Sequence, residues 1–410
     1  MSLHFYSSPV KVENKKKQWI RASLKKFQTK DLSELSEKQL KQSVKLYKQI
    51  SSSHSHIVIF AFGGIGASFR IAQSFFSAQN KKVTLVDSLD LAFRQKISQL
   101  SPEELLSSHF VFISKSGQTS EILFYKELVK KLYSKNKLSL KNRLTLLTQN
   151  LNSPLLSWGK KAKADVVFLE DSLPGRFSFF SLSGWFQFQS CGLKITPNFY
   201  QSFLNFYPSL FRLSSERQNS RKTCPRESRE PALVKRERSP SRESGNLQGK
   251  LPNSSLLQMD SQIFDFFAVL FEKKEIYFCP FQPELNALSR WLELSWSESL
   301  FKEEMKRPAP LLRAINWPDL RHGFIEELIA KREQVCFWAL DIKTDKKDPL
   351  KDKLESLLRS KRIPCLFIDT EKKLPAFLKL IMLFYTALFL AGEFSEVDIR
   401  TQPWVDYFKK

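Results

Sequence analysis

The sequence predicts an α/β protein made of two tandem doubly wound parallel-sheet sandwiches. Short apolar runs rich in β-branched and aromatic residues recur along the chain, helix-like segments separate them, and one long polar stretch divides them into two series. A strand buried on both faces has no polar side, so an uninterrupted apolar run between helices is the pattern of a parallel sheet covered on both faces.

The first series is "HIVIFAF" from His56, "KVTLVD" from Lys82, "HFVFIS" from His109, "LTLLTQ" from Leu144 and "DVVFLE" from Asp165. The second is "EIYFCP" from Glu275, "VCFWAL" from Val335 and "PCLFID" from Pro364. A chain of 410 residues exceeds one ordinary domain, in keeping with two. The expected division is an N-terminal arm over 1–30, a first α/β subdomain over 31–213, an insertion over 214–250 and a second subdomain over 251–410 with C-terminal helices. The insertion has almost no apolar content, many charges and the near-repeats "PRESRE" and "SRESGN". Such a segment buries too little surface to offset its ordering entropy and is expected to be disordered.

Composition narrows the partners. The 65 Lys and Arg against 42 Asp and Glu give a net charge of +23, which favours anionic ligands. The basic residues are scattered rather than interleaved with aromatics or set on a recognition helix, so no nucleic-acid partner is expected. The five cysteines are odd in number and lack a CxxC pair, which argues against a disulfide framework or zinc site and for a reduced, cytoplasmic compartment. The N-terminal stretch has no apolar h-region. The run "LIMLFYTALFLAG" from Leu380 falls short of the roughly 20 residues of a membrane span and reads as a buried helix.

Two strand-to-helix turns carry candidate chemistry. The first strand runs into "FGGIGAS", with Gly64, Gly66 and Ser68, where backbone N–H groups can approach a phosphate at a helix N-terminus. A packing turn gives the same pattern. The third strand runs into "SKSGQTSE", with Ser114, Lys115, Ser116, Thr119 and Ser120. Thr119 or Ser120 also suits a helix cap, and Glu121 can complete that cap or orient a hydroxyl. Ligands of doubly wound sheets bind beyond the carboxyl ends of strands, so both turns can face one crevice.

These stretches resemble the paired phosphate loops of the sugar isomerase (SIS) domain, and "SKSGQTSE" is similar to the loop of bacterial glucose-6-phosphate isomerases. "VDSLD" from Val86, "GRFSFFSLSG" from Gly175, "WLELSWSES" from Trp291 and "QPWVDYFK" from Gln402 resemble further motifs of that family in the same order. The resemblance implies two SIS-type subdomains and reversible conversion of glucose 6-phosphate and fructose 6-phosphate through a cis-enediol, as in glycolysis and gluconeogenesis. It also implies a sugar phosphate as substrate, no metal or organic cofactor, and a homodimer with a histidine supplied across the interface.

Residue by residue, the resemblance assigns Glu298 to proton transfer, Arg176 to the enediolate charge, and Lys409, with Gln402 seven positions before it, to ring opening and sugar contact. His322 in "PDLRHGF" loosely matches the family histidine and equally resembles the turn of aminosugar-phosphate SIS proteins; a structural histidine stays open. Ala67, Leu294 and Phe301 depart from the pattern, each where the family has glycine or glutamine, while Trp404 and the loss of an acid before Gln402 alter the terminal motif. They leave room for a mannose or aminosugar phosphate substrate, or for a noncatalytic sugar-phosphate sensor.

Overall fold

The computed structural model describes residues 2–6, 14–30, 37–76, 82–169, 174–196, 265–302, 305–315, 322–344 and 348–400. The 214–250 insertion lies outside the described residues, as do Gln402 and Lys409.

All eight runs of the two series form strands. The first sheet contains β2 (His56–Ala61), β3 (Lys82–Val86), β4 (Ser108–Ser114), β5 (Leu144–Thr148) and β6 (Asp165–Phe168), all parallel in the order β3-β2-β4-β5-β6. The second contains β7 (Glu275–Pro280), β8 (Leu311–Ala314), β9 (Val335–Ile342) and β10 (Cys365–Thr370), parallel in the order β10-β9-β7-β8. The N-terminal strand β1 (Ser2–Tyr6) adds to β10 antiparallel, so the second sheet is mixed rather than wholly parallel as expected. In each sheet the order reverses at one point, between β2 and β4 and between β7 and β9.

The arm is anchored on the second unit. Its helix α1 (Asn14–Lys30) sets Trp19 edge-on to Phe271 and Phe394, and Lys26 pairs with Glu393 at 2.8 Å.

Helices α2 (Glu37–Ser53), α3 (Gly64–Phe76), α4 (Leu91–Ser98), α5 (Pro102–Ser107), α6 (Ser120–Lys135), α7 (Pro154–Ala162) and α8 (Leu182–Ser190) belong to the first unit. Helices α9 (Asn286–Leu300), α10 (His322–Ala330), α11 (Pro349–Ser360) and α12 (Leu374–Ser395) belong to the second. One core joins an inner face of each sheet through α3, α8, α9 and α12: Ile57, Ile59 and Val111 from the first meet the same cluster as Ile276, Phe278 and Trp338 from the second. The outer face of the first sheet packs on α6 and α7, and that of the second on α10 and α11.

The apolar run from Leu380 is part of a 22-residue helix, α12, longer than the run itself and long and apolar enough to cross a membrane. Here 78% of its most apolar window is buried, so α12 is the central core helix. Among the described residues Cys191, Cys279, Cys336 and Cys365 are buried and outside any disulfide, and no group of three or more metal-binding side chains occurs.

Candidate active site

The two loops lie side by side because β2 and β4 are neighbours, with Ala61 opposite Ile113 at their carboxyl ends. This is the switch point, where helices leave the sheet on opposite faces: α3 packs in the central core and α6 in the outer one. A crevice therefore opens between the two helix N-termini.

The glycines of the first loop answer to close packing. Gly63 has φ +61°, and a Cβ on Gly64 would lie 2.5 Å from the backbone nitrogen of Arg176. Gly64 thus seats the "GRFS" turn directly against the first loop. A Cβ on Gly66 would lie 2.3 Å from the Ala61 carbonyl oxygen. Ala67, by contrast, places its methyl in the central core. Ser68 is fully buried in α3 and its hydroxyl has no partner. At the end of β3, Asp87 pairs with Arg70 at 2.9 Å; burial raises its carboxyl above the usual range against the pull of Arg70.

The second loop is braced from within. Ser114 Oγ accepts from Gly117 N at 3.1 Å and lies 3.2 Å from Thr119 Oγ1, so it shapes the turn. Ser116 Oγ accepts from Gln118 N at 3.2 Å. Gly117 has φ +61° and lies against Ser153, whose hydroxyl would be 2.3 Å from a Cβ at that position. The Lys115 carbonyl accepts from Gln149 N and Asn150 N, both at 3.1 Å, and Asn150 Nδ2 donates to the Ser116 carbonyl at 3.0 Å. Thr119 occupies the N-cap position of α6 without a side-chain capping bond, and Ser120 donates to Glu121 at 2.8 Å. The capping reading of Thr119 is therefore not what is observed; Glu121 orients a hydroxyl.

Arg176 links the two units. It lies in a 3₁₀ turn, Gly175–Phe180, and only 1% of its surface is exposed. Nε donates to Ser299 Oγ at 2.9 Å, Nη2 to the Ile399 carbonyl at 2.6 Å, and Nη1 faces Glu298 Oε2 at 3.5 Å. Trp291 Nε1 donates to the Arg176 carbonyl at 3.1 Å, so "WLELSWSES" holds both ends of this residue. Burial lowers the Arg176 guanidinium to about 10, with Glu298 opposing that shift, and it stays charged at neutral pH. The Glu298 side chain is 32% exposed: it is held by a buried cation on one side and reached by solvent on the other.

Leu294, one turn before Glu298 on α9, is 46% exposed and presents an isobutyl group on the same helix face. Phe301 has φ −82°, so no left-handed backbone is needed where the family has glycine, and its ring packs against the central core.

His322 stands on a different layer of the second unit from this pair. It opens α10, which packs on the outer face of the second sheet, whereas Glu298 lies on α9 on the inner face. Sequence reasoning did not single out Ser299 or Ile399, which orient Arg176, although Ser299 lies beside Glu298 in the quoted motif.

Together these elements define an α/β protein of two sheets, its crevice lined by two helix N-termini beside a buried arginine and a carboxylate. No protein-family model matches the chain. A stretch of 150 residues, 37% of the chain, is 29% identical to 36% of the glucose-6-phosphate isomerase of Methanocaldococcus jannaschii, so the chain matches about a third of that relative's length. Among solved structures, a hypothetical protein of Thermus thermophilus superposes with a TM-score of 0.64 at 14% identity, over 96% of this chain and 92% of that one. A glucose-6-phosphate isomerase of Chlamydia trachomatis superposes with a TM-score of 0.62 at 15% identity, over 92% of this chain and 73% of that one. At these identities the structural likeness is one of fold.

Proposed function

We propose that the protein is an aldose–ketose isomerase that interconverts glucose 6-phosphate and fructose 6-phosphate. The observation that carries this reading is the buried Arg176 facing Glu298 across the two units, next to the loop that seats Gly64. In the proposed reaction the Glu298 carboxylate takes the proton from C2 of the open-chain aldose phosphate. The electron pair forms the C1–C2 double bond and charge collects on O1, where a positioned guanidinium lowers the barrier. The hydroxyl proton passes from O2 to O1, Glu298 returns its proton to C1, and O2 becomes the ketone oxygen. The loops after β2 and β4, with Gly64, Gly66, Ser116 and Lys115, hold the phosphate through N–H groups and charge.

Lys409 and Gln402 are proposed for ring opening from the resemblance alone. His322 serves in this scheme only if a second copy supplies it, which makes a homodimer part of the proposal. The exposed apolar face of Leu294 favours a second reading, an isomerase for a sugar phosphate with fewer polar contacts at that point.

A coupled assay of fructose 6-phosphate conversion tests the main reading. Glu298→Gln is expected to lose at least about a hundredfold in kcat, the usual contribution of a positioned acid–base group. Equal rates for parent and variant, or no turnover by a parent that still binds the sugar phosphate, would reject it.

A further inference from the structure

Lys302 follows the end of α9 and is only 5% exposed. Burying an ammonium group costs several kcal/mol unless its protons are taken up. Here Nζ donates to the backbone carbonyl of Asp398, and the next carbonyl, that of Ile399, accepts from Arg176 Nη2 at 2.6 Å. Two buried cations from distant parts of the chain thus hold consecutive carbonyls.

The same short segment is fastened at further points. Glu396 pairs with Lys306 at 2.9 Å and with Arg307 at 3.6 Å, and Lys306 N donates to the Ser395 carbonyl at 3.3 Å. Ile399 packs on Gly392, where a Cβ would lie 2.3 Å from its Cγ2. The Asp398 carboxylate is bound by Arg400 at 2.9 Å; that hydrogen bond chiefly, with the charge of Lys302 among the lesser causes, holds it below the usual range. Residues 396–400 therefore form a strap laid across the end of α9.

The strap fixes one anchor of the Arg176 guanidinium, and Ser299 provides another. Without the Ile399 carbonyl in place, the guanidinium loses its Nη2 hydrogen bond, one of the contacts that set its plane beside Glu298. We infer that Lys302 is a positioning residue: by pinning the strap at Asp398 it keeps the Arg176 guanidinium aimed at the Glu298 carboxylate. The inference rests on the isomerase reading above, in which Lys302 has no chemical step.

Fructose 6-phosphate turnover by the full chain tests it, with Lys302→Met, Lys302→Arg and each change repeated in an Arg176→Lys background. Lys302→Met is expected to lower kcat about tenfold or more with KM within about threefold, since small misplacements of a reacting group carry penalties of that size. Lys302→Arg should restore most of the rate. In the Arg176→Lys background the loss from Lys302→Met should shrink to about twofold or less, because the two residues act through one contact. Hydrogen exchange should rise at 396–400 and stay at parent levels in β4 and β9. A parent rate in Lys302→Met overturns the inference alone. So does an equal loss in both backgrounds, or faster exchange throughout the chain without rescue by arginine, since either would make Lys302 a general stabiliser. A parent with no turnover overturns the isomerase reading and this inference with it.

Discussion

The two sheets reverse strand order at equivalent places, and the two switch points are occupied in opposite ways. Beyond β2 and β4 the chain places glycine turns and hydroxyls, with Gly63 and Gly117 in left-handed conformations and backbone groups at the mouth of the crevice. At the carboxyl ends of β7, β9 and β10 it places side chains that satisfy one another. Gln282 donates to Asp341 and accepts from Ile342 N at 2.9 Å, while Lys351 reaches both Asp341 and Asp369 and lies 5.9 Å from the centre of the Phe281 ring. Burial works to lower the Lys351 pKa, but the two carboxylates outweigh it and hold the ammonium above the usual lysine range. The same topology thus yields an open crevice in one unit and a plugged one in the other. Strand order supplies the place; the residues at and just after the strand ends decide whether it is a site.

Breaking the open switch point should have the largest effect. In Gly64→Ala the new methyl would meet the Arg176 backbone at 2.5 Å, and neither partner is a flexible side chain. The loop and the arginine must separate, and turnover should fall by about a hundredfold or more, as for a displaced reacting group. Calorimetry with fructose 6-phosphate checks the same variant for lost binding. Retained binding and rate would mean that the glycine turn does not set the geometry of the crevice.

The plugged switch point should answer in stability instead. Lys351→Met strands two partly buried carboxylates, and breaking such a pair costs about 2–3 kcal/mol once partial exposure is allowed for. Urea denaturation should report that loss with kcat unchanged. Replacing Asp341 and Asp369 by Asn in the same variant should recover much of it, because no uncompensated charge remains. A drop in turnover from Lys351→Met would mean that the second crevice takes part in the reaction.

How far this contrast was legible in the sequence depended on which features are local. The apolar runs announced their strands because burial on both sheet faces leaves a contiguous signature, whereas β8, "LLRA", is four residues long with an exposed arginine. The edge strand β1 carries no such signature, since its pairing with β10 spans almost the whole chain. Arg176 and Glu298 were legible only through motifs; their 3.5 Å approach joins residues more than a hundred positions apart. At Ala67 and Phe301, two departures from the motifs, the sequence could not show that the Ala67 methyl lies in the central core or that Phe301 has φ −82° and needs no left-handed backbone. The side-chain plug of the second sheet gave no warning, as isolated Asp, Lys and Gln residues read as surface.

A smaller effect separates the two units at their opposite, amino-terminal edges. There the first sheet carries histidines: His56 bonds to Ser108 and Thr84, both at 3.0 Å, and His109 Nε2 lies 2.8 Å from Thr145 Oγ1. Burial, with the nearby His54 ring at 4.7 Å and Arg143 adding to it, depresses His109 to about 3. The corresponding edge of the second sheet is held by Glu275 with Tyr277, Arg313 and Lys331. A buried histidine that stays neutral when folded takes up its proton only on unfolding, so the unfolded chain binds more protons between the two pKa values. Stability from this group is complete above about pH 6.5 and is lost as pH falls towards about 3, at up to about 1.4 kcal/mol per pH unit. Hydrogen exchange at pH 5 should therefore loosen β2, β4 and β5 before β7 and β9, and His109→Gln should flatten the acid slope of a thermal-stability profile. If the second sheet opened first, or the slope survived His109→Gln, the acid sensitivity would lie elsewhere than in this histidine cluster, and the two units would differ only at their switch points.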